Sequence, residues 1–149
     1  MQQKIMLLNG PNLNLLGQRE VNIYGKIFLS DIINKLQIIA NEHNIFLQHT
    51  QSNHEGVLID KIQEAYYEKY DYLLINLGAY THTSIALRDA ILIGSIPVIE
   101  IHISNIFKRE QFRHISYFSD IATAIISGFG YHGYEYALRH AINTLNNNV

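Results

Sequence analysis

The chain has 149 residues, 48% of them hydrophobic and 16% charged, with a formal net charge of −2 at pH 7. That length suits one domain spanning 1–149, and the composition excludes a disordered chain. The charge gives no basic footprint for nucleic acid, and the absence of cysteine removes disulfides, thiolate chemistry and cysteine-held metals.

Residues 4–9 (KIMLLN) form a short apolar run that reads as the first strand. A polar loop of about 20 residues follows, far longer than the usual two to six. Ser30 then stands where it can cap a helix with an apolar face of Ile32, Ile33, Leu36, Ile39 and Ala40. Residues 45–50 read as a second strand, and 56–70 carry helical spacing through Ile59, Ile62 and Tyr66. Residues 72–77 read as a third strand, 83–93 as a helix and 97–103 as a fourth strand. The stretch TAIISGF reads as a fifth strand, before a last helix from about Tyr134 to Leu145. Strands alternating with helices imply right-handed crossovers and a parallel sheet covered on both faces, a three-layer α/β fold. The opening MQQKIMLLNG has too short an apolar run for a secretory signal, and nothing approaches a transmembrane length. A cytoplasmic protein with no membrane partner is expected.

In such a sheet, ligands bind beyond the carboxyl ends of the strands. Those positions are crowded with polar residues: Asn9, Asn12 and Asn14, then Ser52 to Glu55, then Asn76, Thr81 and His82, then His102, Ser104 and Asn105. Turns use Asn and Ser anyway, but four enriched strand ends together point to a small polyhydroxylated or anionic ligand. The loop after the first strand has no G-x-G-x-x-G and no Walker lysine. GFGYHG at 128–133 has the glycine spacing of a dinucleotide fingerprint. No acidic residue follows it at the distance required to hold a ribose, and it equally suits a tight turn with close helix packing. His54, His82 and His102 have no i, i+4 pairing, so no metal site is expected.

Two pairs carry the chemistry. Arg19 and Tyr24 lie in the long loop (a lid over about 18–26), where a cation beside a phenol would lower its pKa from about 10 and make it a general base. With 10 tyrosines in the chain, a packing or surface role for Tyr24 is the other reading. Glu100 and His102 sit two apart in PVIEIHIS, so they share one face of the fourth strand. A carboxylate there can orient the imidazole and stabilise its protonated form, as suits a general acid. The same pair also suits a core histidine satisfied by a nearby acid.

The blocks NGPNLNLLGQRE, Tyr24-Gly25, QSNHEG, INLGAYTHTSIALRDA, PVIEIHISN, FRHIS and GFGYHGYEYAL closely resemble the type II 3-dehydroquinate dehydratases of the shikimate pathway. The likeness covers nearly the whole chain, in the family's order. It implies a flavodoxin-like sheet of order 2-1-3-4-5 and trimers grouped into dodecamers. It also implies dehydration of 3-dehydroquinate through an enolate, without metal or cofactor. By the same resemblance Tyr24 is the proton acceptor, Arg19 its activating cation, His102 the proton donor and Glu100 its partner. Asn12 matches the group that stabilises the enolate, and Asn76, Ile103 and Ser104 match the clamp on the substrate carboxylate. His82 and Arg113 match contacts to the ring hydroxyls, and Asp89 matches a residue reaching into a neighbouring subunit's site. Val21 departs from the proline common at that lid position, and Ala124 from a frequent glycine. The fold class alone also admits a flavin-binding electron carrier. NGPNLNLLG is not the Ser/Thr-rich phosphate loop that such a protein needs.

Overall fold

A computed structural model describes residues 1–18, 22 and 26–147. The strands are β1 (Gln3–Asn9), β2 (Ile45–Gln51), β3 (Tyr72–Asn76), β4 (Val98–His102) and β5 (Ala124–Ser127). The α-helices are α1 (Leu29–Glu42), α2 (Glu55–Tyr67), α3 (Ile85–Ile93) and α4 (His132–Asn147). Every strand pair is parallel and the order is β2-β1-β3-β4-β5, the flavodoxin-like arrangement expected.

Side chains alternate along each strand, and the alternation sorts the core into two faces. Ile5, Leu7, Leu74, Ile99 and Ile101 meet Leu36 and Ile39 of α1 and Tyr134, Ala137 and Leu138 of α4. Met6, Leu8, Leu73, Ile75 and Val98 meet Leu58 and Ile62 of α2 and Leu87 and Ile91 of α3. Fully burying each such Leu or Ile contributes about 1.5–3 kcal/mol.

Several element ends differ from the sequence pattern, each for a local reason. Helix α1 begins before Ser30, because the Phe28 N–H donates to Asp31 Oδ2 at 3.0 Å and Asp31 closes the first turn. Helix α2 stops at Tyr67 rather than Tyr70. Lys69 adopts φ 57°, and the N–H groups of Lys69 and Tyr70 return to the carbonyls of Tyr66 and Ala65. That is a Schellman ending, with Tyr70 turned into the core. Helix α3 starts after Ser84, whose hydroxyl accepts from the Leu87 N–H at 3.0 Å. The GFGYHG stretch is a tight turn: Gly128 and Gly130 have φ of 91° and 60°, and a Cβ on Gly133 would lie 2.7 Å from Ile126.

Candidate active site

The alternation that builds the core also explains Glu100 and His102. They follow Val98 on the face covered by α2 and α3, but at the carboxyl end of β4 the cover is the coil carrying Ser116 to Ser119. His102 Nε2 lies 2.7 Å from Glu100 Oε1. Ser116 Oγ donates to Glu100 Oε1 and Ser119 Oγ to Oε2, each at 2.5 Å. Glu100 is 1% exposed and His102 5%. Burial pushes the Glu100 carboxyl up, but the donors from His102, Ser116 and Ser119 outweigh it and hold the group below its ordinary value. With Nε2 held on the carboxylate, Nδ1 is the nitrogen left for a ligand.

In front of His102 is a cleft of about 120 Å³ lined by Asn12, Asn76, His82, Ser104, Arg109 and Arg113, among others. It lies at the carboxyl ends of β1, β3 and β4, as the sheet rule requires. Asn12 takes a left-handed backbone (φ 68°) and starts a short 3-10 turn, Leu13–Leu15, which its side chain does not cap. Its N–H donates to Asn53 Oδ1 at 2.9 Å, tying the loop to the end of β2. A second 3-10 turn, Gly78–His82, follows β3, and His82 Nδ1 meets the Ile115 carbonyl at 2.7 Å. Burial holds the His82 imidazole below its ordinary value; neutral, it donates from Nδ1 and keeps Nε2 as an acceptor. Arg113 is held by Glu110, and Arg88 of α3 bonds both the Tyr117 carbonyl and Asp120. These contacts fix the wall that carries Ser116 and Ser119.

Residues 3–142 match the family described as dehydroquinase class II. The chain belongs to that family. It is 57% identical over 144 residues to a 3-dehydroquinate dehydratase of Idiomarina loihiensis, covering 97% of this chain and 95% of the relative. It is 54% identical over 142 residues to one of Haemophilus influenzae strain Rd, covering 95% of each. Among solved structures, the type II dehydroquinase of Butyrivibrio crossotus superposes with a TM-score of 0.89 at 46% identity, over 94% of this chain and 97% of that one. That of Propionibacterium acnes gives 0.90 at 38%, over 96% and 98%.

Of the residues singled out in the sequence of this class II dehydroquinase, Asn12, Asn76, His82, His102, Ile103, Ser104 and Arg113 come together around the cleft. Glu100 stands behind His102. Asp89 does not join them: it is exposed on α3. Arg19, Val21 and Tyr24, with most of the lid at 18–26, lie outside the described residues. His54 precedes α2 and is not in the cleft. No lysine among the described residues lines it, and no three His, Asp or Glu side chains there gather as a metal site. Sequence reasoning missed Arg109, which lines the cleft and approaches Ser104 Oγ at 3.4 Å, and which no motif or periodicity marks. It also missed Ser116 and Ser119, which sit in coil where no periodicity marks them.

Proposed function

We propose that this chain is a hydro-lyase of the shikimate pathway that dehydrates 3-dehydroquinate to 3-dehydroshikimate through an enolate. Its curated relatives carry the name 3-dehydroquinate dehydratase at 54–57% identity over nearly the full chain. The observation that carries the mechanism is the buried Glu100–His102 pair opening on a cleft of amides, imidazole and guanidinium groups.

The steps follow from the chemistry. Tyr24, kept as tyrosinate by Arg19, takes the proton from the carbon beside the ketone. The electron pair moves onto the ketone oxygen, and Asn12 stabilises that enolate, through a water. The enolate then collapses, the C–O bond to the β-hydroxyl breaks, and His102 supplies the proton with which it leaves as water. Glu100 holds the imidazole and stabilises its charged form. Asn76 and the amides of Ile103 and Ser104 bind the substrate carboxylate. Arg113 and the His82 Nε2 acceptor meet ring hydroxyls. The reaction uses no metal or cofactor, because the only developing charge is an enolate that hydrogen-bond donors can hold. A lysine imine is the alternative electron sink, and the lack of a lysine in the described cleft lining counts against it.

The same reading takes 1–149 as one cytoplasmic catalytic domain that works as trimers grouped in a dodecamer. Helix α3 supports an assembly. It buries Leu87, Ala90 and Ile91 against its own sheet, yet leaves Ile85, Leu92 and Ile93 at 58%, 53% and 60% exposure around Asp89. A helix apolar on two sides is usually covered on two sides. Asp89 then completes a neighbour's site.

The test is direct. Adding 3-dehydroquinate to the purified protein should produce the absorbance of a conjugated enone with catalytic turnover. No absorbance change from a folded sample would overturn the assignment.

A further inference from the structure

On the opposite face of the sheet from Glu100, a second buried polar chain ends in the cleft. Asn9 and Asn76 are register partners at the carboxyl ends of β1 and β3, and both point toward α1 and α4. Tyr134, in the first turn of α4, is fully buried and places its hydroxyl between them. Asn76 Nδ2 donates to the Tyr134 hydroxyl at 2.6 Å, and that hydroxyl donates to Asn9 Oδ1 at 2.6 Å. Asn9 Nδ2 lies 3.1 Å from His49 Nε2 on β2.

The chain has one polarity. The Gly78 N–H can only donate, so it takes Asn76 Oδ1 and leaves Nδ2 for the Tyr134 oxygen. At the far end burial pushes the His49 imidazole down to about 4, and in its Nδ1–H tautomer Nε2 accepts from Asn9 Nδ2. Asn9 therefore presents Oδ1 to Tyr134, and the hydroxyl proton is committed there. Burial also pushes the Tyr134 phenol well above its ordinary value, so it stays protonated and takes no part in acid–base chemistry. The Tyr134 oxygen can then only accept from Asn76. Asn76 Oδ1 correspondingly faces the Gly78 N–H, at 3.4 Å. An amide's oxygen and nitrogen are nearly the same shape, so only such partners decide which end faces where.

We propose that Tyr134, held by Asn9, is a positioning residue that fixes the orientation of the Asn76 amide toward the substrate carboxylate. The inference rests on the reading of Asn76 as a carboxylate contact. With the hydroxyl removed, only the long contact to the Gly78 N–H opposes a turn of the amide, and in the turned form its carbonyl oxygen faces an anion. Binding is weakened, and the chemistry at His102 is untouched.

The experiment measures KM and kcat for 3-dehydroquinate in Asn76→Ala, Tyr134→Phe, Asn9→Ala and the Asn76→Ala/Tyr134→Phe double variant. Loss of a hydrogen bond to a charged group in Asn76→Ala should raise KM about 10-fold or more. Tyr134→Phe keeps the buried ring and should raise KM about 3- to 10-fold, with kcat within about 2-fold. Asn9→Ala, which frees the hydroxyl, should shift KM in the same direction and serves if Tyr134→Phe does not fold. In the double variant the Tyr134 change should add nothing. A merely structural role would lower the active fraction, and so kcat, with KM unchanged. A normal KM in Asn76→Ala would sink the carboxylate reading itself. A raised KM in Asn76→Ala with a normal one in the folded Tyr134 or Asn9 variant, or an additive rise in the double variant, would overturn only the positioning role.

Discussion

Replacing Glu100 by Gln isolates the charge behind the proposed acid. His102 Nε2 and Ser116 Oγ share Oε1, while Ser119 Oγ reaches Oε2. A glutamine can keep its oxygen on the shared side and turn its NH2 to Ser119, whose hydroxyl can rotate to accept. The geometry is therefore retained and the charge is lost. A hydrogen bond to a charged group is worth about 1.5–3 kcal/mol, against about 0.5–1.5 for a neutral one. The difference, about 1–2 kcal/mol, makes kcat fall about 5- to 30-fold through a less stabilised imidazolium. KM should barely change, because Glu100 does not line the cleft. The substitution also changes acid stability. The folded Glu100 carboxyl lies below its unbonded value of 4.5, so it binds a proton more weakly when folded. It therefore adds stability above pH 4.5, and that contribution is lost as pH falls through the folded value. Urea unfolding should show the wild-type protein losing stability below pH 4.5 more steeply than Glu100→Gln. The assay is enone formation under saturating substrate, with circular dichroism to confirm folding. Unchanged kcat in a folded variant would refute the idea that this carboxylate supports the acid.

Tyr24→Phe should lower kcat at least about 100-fold with KM largely preserved, and near-normal turnover would remove Tyr24 as the base. Arg19→Ala should slow the reaction and shift its pH profile to the basic side, and an unchanged rate and profile would make Arg19 a solvated lid charge. Borohydride added with substrate should leave the protein mass unchanged, whereas a reduced substrate–lysine adduct would overturn the enolate route. Mixing Asp89→Ala with Tyr24→Phe subunits after dissociation should create some sites with both residues and more activity than either parent. Confirmed hybrids without that gain would reject a shared site.

The sheet was legible because its central strands β1 and β3 carry apolar runs whose two faces both find helices, so Ile5 and Leu7 sort from Met6 and Leu8 by parity alone. Helix ends were less so, since they depend on single contacts: Asp31 reaching back to Phe28, or Lys69 accepting a left-handed backbone that favours glycine. In the site, Glu100 and His102 declared themselves because two ionisable groups on one face of a buried strand need a reason. Ser116, Ser119 and Arg109 did not, for they are common surface residues until the coil folds over β4. Tyr134 was hidden among many tyrosines, and only the pairing of Asn9 with Asn76 across the sheet gives its hydroxyl a partner on each side.

If the buried pair at the end of β4 supplies the acid for dehydration, kcat for 3-dehydroquinate in His102→Ala, measured by enone absorbance on a folded sample, is the decisive quantity. It should fall at least about 100-fold, the usual worth of a positioned general acid. Turnover close to that of the unmodified chain would place the chemistry elsewhere.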